Sequence, residues 1–213
     1  MNTINNKNLN KHFYSFEGID FSGKTTQIKM LQAWLENRGN TVHILREPGG
    51  TEISEKVRAI LLDKEHMHLH ARAELLLYSA ARVQLMIEKI IPLLEKGHYI
   101  IADRFVDSTT AYQGFGRGLE QEIVEQVNQF ATLGLLPSIT FYVKLNPEEA
   151  LKRRLKSGQE ADRLESSGME FFNKVSKGYE IIAKKDYKRF QIIDGSQVME
   201  EIHRQIIEIV MHK

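Results

Sequence analysis

Gly18-Ile19-Asp20-Phe21-Ser22-Gly23-Lys24-Thr25 fits the pattern G-x-x-x-x-G-K-[ST] at every fixed position. A loop of this kind turns successive backbone N–H groups inward, where they hold di- and triphosphate oxygens. Its two glycines let the backbone turn and approach without a Cβ. Lys24 is placed to reach the β- and γ-phosphates and the Thr25 hydroxyl to ligate Mg2+. The run Phe13-Tyr14-Ser15-Phe16 precedes the loop, and Ile28, Leu31 and Leu35 follow it at helical spacing. Strand, loop, helix is the setting that the motif requires.

Outward from this loop, short apolar runs alternate with longer helical ones. Strands are expected over His12–Glu17, Thr41–Arg46, Tyr99–Asp103, Ile139–Lys144 and Phe190–Asp194. Helices are expected over Lys24–Asn37, Glu52–Leu62, Ala71–Leu94, Glu120–Leu133, Pro147–Leu155, Met169–Lys185 and Val198–Met211, with Pro92 kinking or dividing the third. The alternation implies an α/β fold: a five-stranded parallel sheet with helices on both faces. Ligands of such sheets bind beyond the carboxyl ends of the strands.

Composition narrows the classes. The 213 residues make one domain, and 42% hydrophobic with 27% charged residues is ordinary for a globular protein. A net charge of +1 offers no global field for nucleic acid or membrane. There is no cysteine, which excludes disulfides, thiolate metal sites and cysteine nucleophiles. No apolar run approaches the roughly 20 residues of a membrane span. Residues 1–11 are rich in Asn and Lys without an apolar centre; they read as a disordered tail rather than a secretory signal, and the expected compartment is the cytoplasm.

The third strand ends in Asp103 followed by Arg104. An apolar strand ending in Asp is a Walker B arrangement that helps to hold Mg2+. An acid after that Asp would suit activation of water; an arginine suits a second anion, the phosphate of an acceptor. Arg46-Glu47-Pro48-Gly49-Gly50-Thr51 forms a tight loop after the second strand, and Arg46 or Arg58 can meet a phosphate bidentately; alone, it reads as a turn with solvated charges. Tyr78 and Arg82 share a helix face at i, i+4, either as a base-recognising pair or as a core aromatic and a surface charge. Asp107 to Gly114 brings hydroxyl and amide groups to the same strand end, and Gly114, Gly116 and Gly118 suggest a mobile loop around Arg117. Lys152 to Lys156 leads through a polar stretch to Asp162-Arg163-Leu164-Glu165, a basic lid over a phosphate site or a solvated helix end. His66, His68 and His70 alternate in a solvated loop with no third-ligand pattern.

With these segments in place the sequence resembles the thymidylate kinase family, from about Phe13 to about Val198. The most specific piece is Ile101-Ala102-Asp103-Arg104-Phe105-Val106-Asp107-Ser108-Thr109-Thr110-Ala111-Tyr112-Gln113, and Arg46-Glu47-Pro48-Gly49-Gly50 is also similar to the family's loop. The resemblance implies a P-loop nucleoside monophosphate kinase-like fold over residues 12–213, with a small lid near 153–165. It implies phosphorylation of dTMP to dTDP by MgATP in dTTP biosynthesis. Gly18 to Thr26, with Arg153 and Arg163 from the lid, would bind ATP; Thr25 and Asp103 would serve the Mg2+. Asp20, Glu47, Arg58, Tyr78, Arg82, Arg104, Thr109 and Gln113 would surround dTMP, with Tyr78 stacked on thymine, Arg82 on a base carbonyl, and Arg58 and Arg104 on the phosphate. Lys24, Arg104, Arg153 and Asp20 would carry catalysis. No basic residue lies between Ile19 and Ser22, so the chain is similar to the bacterial form with arginines in the lid. A homodimer is implied by the resemblance alone. Tyr78 and Phe105 replace a commoner Phe and Tyr. Kinases for other nucleotides or nucleosides share the loop; a GTPase switch would carry an N-K-x-D motif, which this sequence lacks.

Overall fold

The computed structural model describes residues 9–212. Leu9–His12 is a 3-10 turn that leads into β1 (Phe13–Glu17), and α1 (Lys24–Glu36), β2 (Val42–Arg46), α2 (Glu52–Leu62) and α3 (Ala71–Leu85) follow. A π-helical stretch, Met86–Ile90, joins α3 to α4 (Ile91–Glu95). After β3 (Tyr99–Asp103) come α5 (Val106–Thr109), a second π-helical stretch over Thr110–Gly116, and α6 (Gln121–Thr132). β4 (Ile139–Lys144), α7 (Pro147–Ser157), α8 (Met169–Lys185), β5 (Phe190–Asp194) and α9 (Met199–Met211) complete the chain.

The strands form one sheet in the order β2-β3-β1-β4-β5. All four pairings are parallel, with Tyr14 opposite Ile101 on one side and Ile139 on the other. β1 is buried along its whole length, because helices cover both faces of the sheet. Successive side chains point to opposite faces. Tyr14 and Phe16 join Ile28, Leu31 and Leu35 of α1 and Ile202 and Ile206 of α9 in one core cluster. Phe13, out of phase by one, joins Leu85, Met86, Ile90 and Leu94 in the other. Each such fully buried side chain contributes about 1.5–3 kcal/mol. This two-sided core holds the carboxyl ends of β1 and β3 side by side.

Two expectations need correction, and a third is met. Of the tail expected over 1–11, residues 1–8 lie outside the described residues, whereas Leu9 packs against the second core cluster from its 3-10 turn, which also takes His12 out of β1. The helix expected over Ala71–Leu94 is divided near Pro92 as its sequence implies: α4 begins at Ile91, after the π-helical stretch, with Pro92 in its first turn. Proline has no N–H to donate and its ring collides with the preceding turn, so the wider turn accommodates it. The mobile glycine loop around Arg117 is instead the end of a packed helix. A Cβ on Gly116 would stand 2.6 Å from the Phe171 ring of α8, so glycine here permits close approach of two helices rather than motion. Among the described residues no helix is long and apolar enough to cross a membrane.

Candidate active site

The loop between β1 and α1 takes the shape its glycines allow. Gly18 has φ 130°, and a Cβ there would meet the Val143 carbonyl oxygen at 2.4 Å, so no other residue fits. Gly23, at φ 101°, heads α1. Four unpaired N–H groups and the positive end of the helix dipole therefore face the loop. Lys24 is buried and donates from Nζ to the Ile19 carbonyl at 2.7 Å, folded across the loop it serves. Burial and the nearby Arg104 push its ammonium down to about 8, although Asp20, Asp103 and Glu17 oppose them. Thr25 and Thr26 stand exposed at the head of α1. A cleft of about 540 Å³ opens over this loop, lined also by Asp103 from the end of β3 and Arg153 from α7. Arg153 donates to the Phe21 carbonyl at 3.3 Å and to the Gly195 carbonyl at 3.1 Å, which draws it against the loop. Its neighbour Arg154 instead donates to the Glu165 carbonyl at 3.3 Å.

A second cavity adjoins the first. Tyr78, Arg82, Thr109, Gln113, Asp162 and Leu164 line it. Asp20, Glu47, Arg58 and Arg104 line both cavities. Arg104 has φ 71°, a left-handed conformation that non-glycine residues seldom adopt. Its N–H is held by the Phe16 carbonyl at 3.0 Å. Its guanidinium donates to Asp20 at 2.5 Å and to the Gly18 carbonyl at 2.8 Å, so β3 delivers it to the phosphate loop. Burial disfavours the Asp20 carboxylate, but Arg104, Lys24 and Arg58 together hold it below the usual range. Arg58 is tied to the Pro48 carbonyl at 2.9 Å. Arg46, the other phosphate candidate in that segment, is half exposed and paired with Glu55 at 2.9 Å.

Beneath the second cavity Arg82 is almost wholly buried. It meets Glu47 through both Nε and Nη2 at 2.7 Å, Asn128 at 3.1 Å and Thr109 at 2.9 Å, which accounts for four of its five donors. Burial drives the Glu47 carboxyl up, against Arg82. Gln113 donates Nε2 to Glu74 at 2.8 Å, leaving its carbonyl oxygen for the cavity. Tyr78 stands in the wall, one α-helical turn before Arg82 as its spacing implies.

The structure thus brings together Asp20, Glu47, Arg58, Tyr78, Arg82, Arg104, Thr109 and Gln113 on one side, and Gly23, Lys24, Thr25, Thr26, Asp103 and Arg153 on the other. Arg163 stands apart from both groups. The resemblance places it with ATP, yet it is 2% exposed, ion-paired with Glu74 at 2.6 Å, and lines neither cavity. Glu17, Glu74 and Asn128 were missed. Glu17 sits fully buried under Arg104 and accepts from Phe105 N at 2.7 Å, Ser108 at 2.6 Å and Tyr179 at 3.0 Å. Glu74 lies four residues before Tyr78 on the same face of α3, and an acid on that buried face was the available signal. His70, from the histidine loop, caps α3 by accepting from Arg72 N at 3.3 Å.

The family model described as thymidylate kinase matches residues 16–206. A thymidylate kinase of Thermoanaerobacter sp. (strain X514) is 50% identical over 198 residues, covering 93% of this chain and 96% of that protein. One from Chlorobaculum parvum (strain DSM 263 / NCIMB 8327) is 45% identical over 201 residues, covering 91% and 92%. The crystal structure of thymidylate kinase from Ehrlichia chaffeensis superposes with a TM-score of 0.76 at 33% identity, covering 93% of this chain and 97% of that one. Two adjoining cavities, one built on a phosphate loop and one on buried arginine and glutamine, agree with that match: the chain belongs to the thymidylate kinase family and phosphorylates dTMP to dTDP with ATP as the donor.

Proposed function

We propose that in-line transfer takes place where the two cavities meet, with Arg104 aiming the acceptor phosphate at the γ-phosphoryl group. The observation that carries this reading is that Asp20, Glu47, Arg58 and Arg104 line both cavities, so donor and acceptor meet at one border where two arginines stand among two carboxylates. The loop amides and Lys24 hold the donor. Arg104 and Arg58 hold the acceptor phosphate, which has a second pKa near ~6 and is largely dianionic at pH 7; no general base is needed. Tyr78 offers a ring to the base. Arg82 retains one N–H donor for a base carbonyl, and the free Gln113 oxygen accepts a ring N–H, a pairing that suits thymine. Arg153 covers the transferring group and stabilises charge spread over its oxygens.

The cation in this reading is Mg2+, held by Thr25 and Asp103. Both line the phosphate cleft and offer hard oxygen donors. Among the described residues no group of three or more acidic or histidine side chains forms a cage, which suits an ion that keeps waters and takes its remaining ligands from phosphates. When bound, it would neutralise charge on the donor phosphates.

We further propose a homodimer in the cytoplasm. α3 and α6 pack side by side and expose Leu76, Ile123 and Phe130, an apolar surface that a second copy would cover. A monomeric mass by light scattering at micromolar concentration would overturn the pairing.

The transfer is tested with ATP labelled in its γ-phosphate. Label should appear in dTDP when dTMP and Mg2+ are both present. Label released as inorganic phosphate at the same rate without dTMP would contradict the reading.

A further inference from the structure

We propose that Glu74 is a positioning residue that ties the C-terminal half of the lid to base recognition, making Arg163 an acceptor-side residue and not a ligand of ATP. The proposal rests on the assignment of the second cavity to dTMP.

Glu74 is fully buried. Its Oε1 accepts from Gln113 Nε2 at 2.8 Å and from Arg117 Nε at 3.2 Å, and its Oε2 accepts from Arg117 Nη2 at 3.3 Å. Oε2 also lies 2.6 Å from Arg163 Nη2, an ion pair with both side chains out of solvent. One carboxylate therefore serves two guanidinium groups and one amide. Arg163 is fixed twice more, by Nε to the Leu61 carbonyl at 2.6 Å and by its backbone N–H to the Leu62 carbonyl at 3.3 Å, both at the end of α2.

The consequence lies with Arg163's neighbours. Asp162 and Leu164 line the acceptor cavity, so pinning Arg163 makes its segment a wall of that cavity. The same Glu74 commits Gln113 Nε2 away from the cavity and so presents the Gln113 oxygen to the base. Wall and base reader thus share one anchor. Removing the Glu74 charge leaves Arg163 buried without compensation, frees the segment and lets the Gln113 amide turn over. The donor cleft draws on Arg153 of α7 and, from the lid segment, on Gln159 and Glu165, but not on Glu74, Asp162, Arg163 or Leu164.

The test is steady-state kinetics on Glu74→Gln and Arg163→Gln, varying each substrate in turn. Both variants should raise KM for dTMP at least about tenfold while KM for ATP stays within about twofold. Their effects should be strongly non-additive in the double variant, because either change breaks the same pair. A rise in KM for ATP with KM for dTMP unchanged in Arg163→Gln would assign Arg163 to the donor and overturn the proposal. Equal rises in both values, or additive effects, would reduce Glu74 to a structural role and also overturn it. Should Glu74→Gln fail to fold, Arg163→Lys, which keeps the charge but loses the fork, must show the same one-sided KM change. Wild-type turnover of dTMP is measured alongside; its absence would sink the acceptor assignment itself, a separate failure from any pattern among the variants.

Discussion

Arg104 reaches from the end of β3 to Asp20 in the phosphate loop at 2.5 Å, and its own backbone is held in a left-handed turn to do so. Strand end, phosphate loop and acceptor cavity meet in that one pair. Asp20 and its surroundings keep the guanidinium charged well beyond its ordinary range, against the cost of burial. Arg104→Ala should lower kcat/KM for dTMP by about 10²–10³-fold, the loss typical of a charge-stabilising group in a closed site. Arg104→Lys should recover only part of it, since a point charge cannot serve Asp20, the Gly18 carbonyl and a phosphate together. Initial rates with dTMP varied decide this; wild-type kinetics in Arg104→Ala would remove the residue from the mechanism.

Arg153 is held against the loop by two carbonyls, and its one ion pair, to Glu149 one turn earlier at 3.6 Å, is long and partly exposed, so a phosphate can compete for its charge. Arg153→Ala should reduce kcat at least about tenfold with a smaller effect on KM for dTMP. An unchanged kcat would move the role elsewhere on the lid, with Arg154 the next residue to substitute.

Arg82 carries structure as well as recognition. Its loss leaves Glu47 buried without its cation, and the other Glu47 oxygen already has no hydrogen-bond partner. Arg82→Ala should cost about 3–5 kcal/mol of stability. Glu47→Gln in the same chain should recover part of that by removing the stranded charge. Urea denaturation of the single and double variants checks both statements, and a double variant less stable than Arg82→Ala would contradict the account.

Glu17 makes stability depend on pH. Burial and the Asp107 charge push its carboxyl up to about 7, against the help of Ser108, Arg104 and the Phe105 N–H. An unfolded Glu titrates near ~4.3, so between the two values the folded chain binds more protons than the unfolded one. Glu17's contribution is therefore full below the unfolded value and is lost as pH rises towards about 7. Glu17→Gln should flatten that decline. Denaturation midpoints at about pH 5 and about pH 8 measure it; an equal decline in the variant would place the titration on another group.

The sheet was legible because its signals are local. Tyr99–Asp103, Ile139–Lys144 and Phe190–Asp194 keep the bounds that their apolar runs imply; the first two are buried at their centres and need continuous hydrophobic sequence, and the third, at the sheet edge, is bounded by its run of Phe and Ile. The phosphate loop was legible because its glycines have no substitute. Val106 to Gly116 was not, because its helix is stabilised by contact with α8, and glycines that permit packing look the same in sequence as glycines that permit motion. Arg163 and Glu74 were obscured for a related reason: a lid arginine with a buried partner some ninety positions earlier has the same local pattern as one that faces solvent. Asn128 was silent because its partners, Arg82, Val106 and Thr110, lie on other elements far from it in sequence.

The central claim is that the second cavity takes dTMP and that the chain transfers phosphate to it and not to water. The direct measurement is ADP release with MgATP and, in turn, dTMP, dUMP, UMP, CMP, AMP and no acceptor. Turnover should be strongest with dTMP, weaker with dUMP and at background with the others. Equal turnover with CMP or AMP would contradict the roles given to Tyr78, Arg82 and Gln113, and turnover without any acceptor would contradict the kinase reaction itself.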